Sequence, residues 1–336
     1  MKLRRHHWRA ARLDIAARRK HRGVMTFPNG RHLIAVAAFV LAATPAVAQR
    51  GKKAEIAAKP FPAATRAAIE DALGRQGTPN PGGVLKFGFP RGDLKVVLNG
   101  ITLKPALALG SWIAFQRISD HAMVMGDLVL LESEVESVMA SLQQNGIEQT
   151  ALHNHLLGES PRVMYMHVRA IGNPARIAKA VRSALEFTAT PLAAPASVAT
   201  ANPTPPIELD TVAVARAIGV HGKMNGGVFQ LSIPRREKIK DEKHELARSM
   251  GISTAINFQP TGVGKAAITG DFVLVAREIN PVLWALSQNG IQVTAIHSHM
   301  IDEVPHLFFM HFWANDDAVK LAHGLRTALD LTGSKK

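Results

Sequence analysis

His153-Asn154-His155-Leu156-Leu157-Gly158-Glu159-Ser160-Pro161-Arg162-Val163-Met164-Tyr165-Met166-His167 carries the pattern His-x-His-x-x-x-Glu-x-Pro-x-x-x-x-x-His. The same pattern returns 144 residues later at His297, His299, Glu303, Pro305 and His311. β-Branched, apolar and aromatic residues flank a Gly/Pro turn in each copy, which reads as two strands joined in a hairpin. A motif repeated at fixed spacing marks an internal duplication, so the fold is two copies of one unit.

The register extends well beyond the motif. Residues 121–190 lie on 265–334 without a gap, and 26 of the 70 positions are identical. All three histidines and the glutamate fall among those 26, although most other positions have diverged. Gly126-Asp127 matches Gly270-Asp271, and Asn145-Gly146-Ile147 matches Asn289-Gly290-Ile291. Upstream, Gly83-Val84 and Pro90-Arg91 match Gly227-Val228 and Pro234-Arg235, and helical stretches end at Gly74 and Gly219. The repeats are therefore placed at 65–188 and 210–332. The Ala-, Thr- and Pro-rich segment 189–209 between them reads as an extended linker.

Within a repeat, Val84–Phe89, Lys95–Leu98, Trp112–Ile118 and Ala122–Leu131 read as strands. Glu132–Gln144 places Val135, Val138, Met139 and Leu142 on one helical stripe. Asn145-Gly146 ends that helix, since both residues tolerate a left-handed cap. Ile147–Leu157 and Arg162–Ala170 then form the hairpin about a turn at Gly158–Pro161, and Pro174–Phe187 is a second helix. The second copy places its helices at about 276–288 and 316–331. The order strands, helix, hairpin, helix gives an α+β class, with two domains related by approximate twofold symmetry.

The chain of 336 residues is 47% hydrophobic, enough for two ordinary cores, and has no cysteine, which excludes disulfides and thiolate metal sites. Its formal charge of +14 is uneven: residues 1–48 hold ten Lys/Arg against Asp14, leaving 30 basic and 25 acidic residues elsewhere. That balance gives no case for nucleic acid as a partner. Residues 33–47 are an apolar run after a basic stretch, followed by Ala46-Val47-Ala48 and Gln49, the form of a signal peptide over 1–48. Met25 lies where such a signal ordinarily starts, so 1–24 reads either as an upstream extension or as an unusually long basic n-region. The expected location is periplasmic or secreted, with no membrane span after cleavage.

Alternation along a strand puts His153 and His155 on one face, and a three- or four-residue turn brings His167 opposite residue 153 or 154. Three imidazoles with Glu159 nearby form a plausible ligand set for a divalent transition metal, zinc first, with iron, manganese or copper also suited. Met164, Met166 and Met310 in the same strands keep copper open. His297, His299, His311 and Glu303 repeat the set. In an enzyme, Glu159 and Glu303 would serve as bases toward a metal-bound water, giving a metal-dependent hydrolase. The competing reading is a non-catalytic protein that binds a small molecule, polysaccharide or protein partner of the envelope. The histidines could equally be structural residues kept by duplication.

Other features are weaker. Asp127 and Asp271 could orient the histidines, but a Gly-Asp pair within a strand reads first as a turn or bulge. His121 has Lys265 at its counterpart, and His306 replaces Arg162. The run Arg235-Arg236-Glu237-Lys238-Ile239-Lys240 reads as a solvated loop. His-x-His-x-x-x-Glu is similar to the opening of the first cupin motif, but no Pro-x-Gly-x-x-His segment follows.

Gly270-Asp271-Phe272-Val273-Leu274, Glu278-Ile279-Asn280-Pro281, Asn289-Gly290-Ile291, His297-Ser298-His299, Phe309-Met310-His311-Phe312 and the 104–112 segment Lys-Pro-Ala-Leu-Ala-Leu-Gly-Ser-Trp resemble the LppY/LpqO family. The resemblance covers nearly all of 65–332 and implies an exported two-repeat protein, without supplying a reaction. The mycobacterial members are lipoproteins; this chain lacks the lipid-bearing cysteine, so that anchoring does not carry over.

Overall fold

The computed structural model describes residues 59–193 and 209–335. The segment expected to be a signal peptide and the middle of the expected linker lie outside the described residues. The first repeat runs α1 (Ala63–Leu73), β1 (Thr78–Asn80), β2 (Val84–Pro90), β3 (Val97–Leu98), β4 (Ile101–Thr102), α2 (Pro105–Ala108), β5 (Gly110–Ile118), β6 (His121–Leu131), α3 (Val135–Gln144), β7 (Glu148–His153), β8 (Val163–Gly172) and α4 (Pro174–Leu185). The second runs α5 (Thr211–Ile218), β9 (Lys223–Asn225), β10 (Val228–Pro234), β11 (Lys240–Asp241), β12 (His244–Glu245), β13 (Ser253–Gly262), β14 (Lys265–Leu274), α6 (Ile279–Gln288), β15 (Gln292–His297), β16 (Glu303–Val304), β17 (Phe308–Asp317) and α7 (Ala318–Leu329).

The helix boundaries have local causes. The side chains of Asn173 and Asp317 accept hydrogen bonds from Arg176 N and Lys320 N, capping α4 and α7. Gly146 and Gly290 take φ of +70° and +69° after α3 and α6, where a side chain would be strained.

Each repeat builds a six-stranded antiparallel sheet of the same order, β1-β2-β5-β6-β8-β7 and β9-β10-β13-β14-β17-β15. One face of each sheet carries the helices. Leu85, Phe87, Phe115 and Leu128 pack there with Ile69, Val138 and Val181, and Phe229, Ile256 and Phe272 pack with Val214, Val282 and Leu325. The opposite faces meet each other. Val84, Met123 and Met125 share a cluster with Ile252, Met300 and Phe309, while Tyr165 and Val129 share one with Val228, Ala267 and Trp313. Strand β6 is thus covered on both sides, which explains its nearly unbroken apolar run.

Polar contacts between the repeats recur with the repeats exchanged. Gln116 Nε2 donates to Glu245 O while its Oε1 accepts from Ala247 N. Gln259 Nε2 donates to Thr102 O while its Oε1 accepts from Lys104 N. Such reciprocity is the signature of an isologous interface, here within one chain.

Two readings of the sequence change. Arg235 is buried rather than part of a solvated loop. It makes a two-pronged ion pair with Glu278 at 2.7 and 3.0 Å and donates to Val273 O, as Arg91 does with Glu134 and Val129 O. The start of the linker is also packed: Thr190 is buried, and Ala189 N donates to Glu134. No helix among the described residues is long and apolar enough to cross a membrane.

Candidate metal centre

The hairpin is looser than its sequence suggests. Strand β7 ends at His153 and β8 begins at Val163, so residues 154–162 form a loop in place of a four-residue turn. A bulge between Gln149 and Ala151 shifts the register, and His167 pairs with Ala151, with His153 opposite Tyr165. His155 therefore lies in the loop rather than on the strand face shared with His153. The second repeat has the same bulge and register, pairing His311 with Ala295 and His297 with Phe309.

The loops cross between repeats. Thr150 Oγ1 donates to His299 O at 2.6 Å, and Thr294 Oγ1 donates to His155 O at 2.5 Å. Each loop histidine is thereby set against the other repeat. His155 stacks between Tyr165 and His311, with ring centroids 3.3 and 3.7 Å away. His299 stacks between Phe309 and His167 at 3.5 and 3.6 Å. His153 and His297 lie 3.6 Å apart, joining the two halves. The six histidines form one cluster between the sheets.

Among the described residues, four sets of donors lie within 4.8 Å of one another: His153, His167 and His299; His153, His155 and His311; His297, His299 and His311; and Asp127, His155 and His167. Two sets cross the repeats and two stay within one.

Asp127 and Asp271 are not turn residues; Asp127 falls in one of the four sets, and Asp271 lies beside His311. Each sits mid-strand opposite a site histidine, Asp127 facing His167 and Asp271 facing His311. The Oδ1 atoms lie 3.7 and 3.9 Å from the respective Nε2 atoms. The preceding glycines are required by close approach: a Cβ on Gly270 would stand 2.0 Å from Ala255 O, and one on Gly126 would stand 2.7 Å from Trp112 O. Spacing to a strand partner, which the Gly-Asp pair shares in both copies, was the signal that could have revealed these acids.

Glu159 and Glu303, expected as ligands or bases, fall in none of the four sets. Both are buried and hold their own loops: Glu159 Oε1 accepts from Val163 N, and Glu303 Oε1 accepts from Leu307 N at 2.7 Å. His306 Nδ1 also lies 3.0 Å from Glu303. His121 is exposed. Met166 and Met310 point into the helix-side cores, away from the histidines.

Burial governs the electrostatics of the metal-free site. It pulls His153 down to about 4 and His297 to about 3. Burial, then neighbouring imidazoles, put His155, His167, His299 and His311 well below the ordinary value. The rings are neutral at physiological pH, the form that ligates metal. Burial pushes Asp127 up to about 8 and Asp271 well above its usual range. A cavity of about 10 Å³ touches His167, His299, Gly126, Trp112 and Met125. Lys86, its amine 4.0 Å from the Trp112 ring, flanks this side.

The chain is similar at 12% identity to the trimeric bacterial microcompartment shell protein PduB, over 74% of this chain and 88% of that one, with a TM-score of 0.18. It is similar at 10% identity to EtuB from Clostridium kluyveri, over 76% and 90%, also with a TM-score of 0.18. Likenesses this distant carry no argument about the fold or function. No curated protein matches the chain. The family profile described as Domain of Unknown Function (DUF1259) matches residues 67–187 and again 212–331, and the chain belongs to that family as a tandem pair of its domains.

Proposed function

We propose that the protein binds a divalent transition metal at a centre built by both repeats, with zinc the first fit and iron, manganese and copper the others. One observation carries this reading. Asp127 Oδ1, His153 Nε2, His155 Nε2, His167 Nε2, Asp271 Oδ1, His297 Nδ1 and His311 Nε2 are buried without hydrogen-bond partners. Buried polar atoms nearly always find a partner, and these seven orphans in one place are groups that metal ligation would satisfy. An imidazole-rich set with a minority of carboxylate suits zinc and its transition-metal neighbours rather than calcium or magnesium.

Binding fits better than hydrolysis. The cavity beside the cluster, about 10 Å³, has room for at most one water, whereas organic substrates occupy sites of roughly 300–1,000 Å³. One oxygen of each glutamate is engaged in its own loop, Glu159 Oε1 by Val163 N and Glu303 Oε1 by Leu307 N, while Glu303 Oε2 is buried without a partner. The reciprocal glutamine and threonine contacts support a pseudo-twofold relation between the repeats. The apolar run and Ala-Val-Ala motif before Gln49 support export to the periplasm or beyond, in line with the LppY/LpqO resemblance.

Elemental analysis of protein purified without chelators from its native compartment tests the reading. Metal is expected in the wild type and is expected to be lost when His155 and His299 are together replaced by Ala, with circular dichroism unchanged. Protein that contains no metal and takes up none of zinc, copper, manganese or iron would refute it.

A further inference from the structure

The donor inventory exceeds what one ion can use. Six imidazoles and two carboxylates meet in the cluster, while a four-coordinate ion takes four donors. A single ion would leave about half of these buried groups without partners. Two of the four ligand sets share no residue: Asp127, His155 and His167, and His297, His299 and His311. One donor remains beside each. The His153 ring lies 5.0 and 5.1 Å from those of His155 and His167, and Asp271 Oδ1 lies 3.9 Å from His311 Nε2. Each repeat then supplies the same four residues, three histidines and the aspartate of its Gly-Asp pair.

The two sets interleave. His153 lies 3.6 Å from His297, His155 lies 3.7 Å from His311, and His167 lies 3.6 Å from His299. The crossing sets, His153 with His167 and His299 or with His155 and His311, exist because neighbouring donors are that close. The small cavity touches His167 from one set and His299 from the other.

Resting on the metal reading above, we propose that the centre holds a pair of adjacent divalent transition-metal ions. One is held by His153, His155, His167 and Asp127, and the other by His297, His299, His311 and Asp271. Beside them, at His167 and His299, there is room for one exogenous ligand of water size, such as water or hydroxide. The pair divides the eight donors evenly, and the Gly-Asp repeat acquires a role equal to that of the histidines.

Cobalt(II) titration of chelator-stripped full-length protein tests this, with circular dichroism confirming the fold before titration. Visible absorption is expected to plateau at two equivalents per chain. Asp127→Asn and Asp271→Asn should each halve the plateau to one, a change that a purely structural aspartate would not produce. Copper(II)-loaded wild type should give the electron paramagnetic resonance of a coupled pair. A plateau at one equivalent, or two ions without coupling, would overturn the paired centre while leaving the metal reading intact. No uptake of cobalt or copper would overturn both.

Discussion

Glu278→Gln keeps the shape of a buried side chain and removes its charge. The Glu278 carboxylate receives Arg235 at 2.7 and 3.0 Å, Val275 N at 3.0 Å and Gly333 N at 2.8 Å. The two side chains are 1% and 5% exposed, so almost no water can replace these contacts. An amide offers one acceptor where four donors converge, and turns its NH2 toward other donors. Arg235 would keep Glu237, at 2.9 Å, as its remaining carboxylate. Breaking a buried pair from one side costs about 3–5 kcal/mol. At about 2–4 °C per kcal/mol for a chain of this size, the melting temperature should fall by about 10 °C. Glu134→Gln should cost less, because Arg91 keeps three contacts to Asp93.

Urea unfolding at pH 7 would measure both variants. Burial pushes the Glu278 carboxyl up, but hydrogen bonds from Arg235 and Val275 N outweigh it and hold the group below its usual range. Its contribution is therefore fully present at pH 7 and lost as acid protonates the folded form. Glu278→Gln within about 0.5 kcal/mol of wild type would refute the claim that the pair is desolvated. Arg235→Met with Glu278→Leu should recover much of the loss, since apolar replacement of a whole buried pair is often near neutral.

Gly270→Ala should abolish soluble expression or cost more than about 3 kcal/mol, because its Cβ would stand 2.0 Å from the backbone oxygen of Ala255; a wild-type urea midpoint would contradict the strand packing. The metal-free protein should lose stability as pH falls from 6.5 to 5. The unfolded chain protonates its histidines near 6.5, while burial keeps the folded rings neutral, so their contribution is lost as pH falls. Burial raises Asp127 and Asp271 and acts oppositely, favouring the fold as pH falls, but six imidazoles against two carboxyls leave a net uptake on unfolding of up to about four protons. Urea midpoints in chelator that stay flat or rise toward pH 5 would refute this.

The sequence alone determined the duplication, the longer helices and the identity of the six histidines. Those features are local or periodic. A 3.6-residue stripe makes α3, Gly146 and Gly290 stop their helices, and a motif recurring at 144 residues needs no knowledge of contacts. Tertiary structure decided how those residues combine. The length of the loop after His153 follows from the bulge at Gln149/Ala151 and from β-pairing at Val97 and Ser160, which no short-range spacing reveals. Asp127 was ambiguous in sequence because a Gly-Asp pair fits a turn as well as a strand interior. Only the pairing with His167, 40 residues away, makes it part of the centre. The stacking of His155 on His311 and of His299 on His167 depends on two sheets packing face to face. Chain order cannot encode that directly, because the contacts join surfaces of two repeats far apart in sequence.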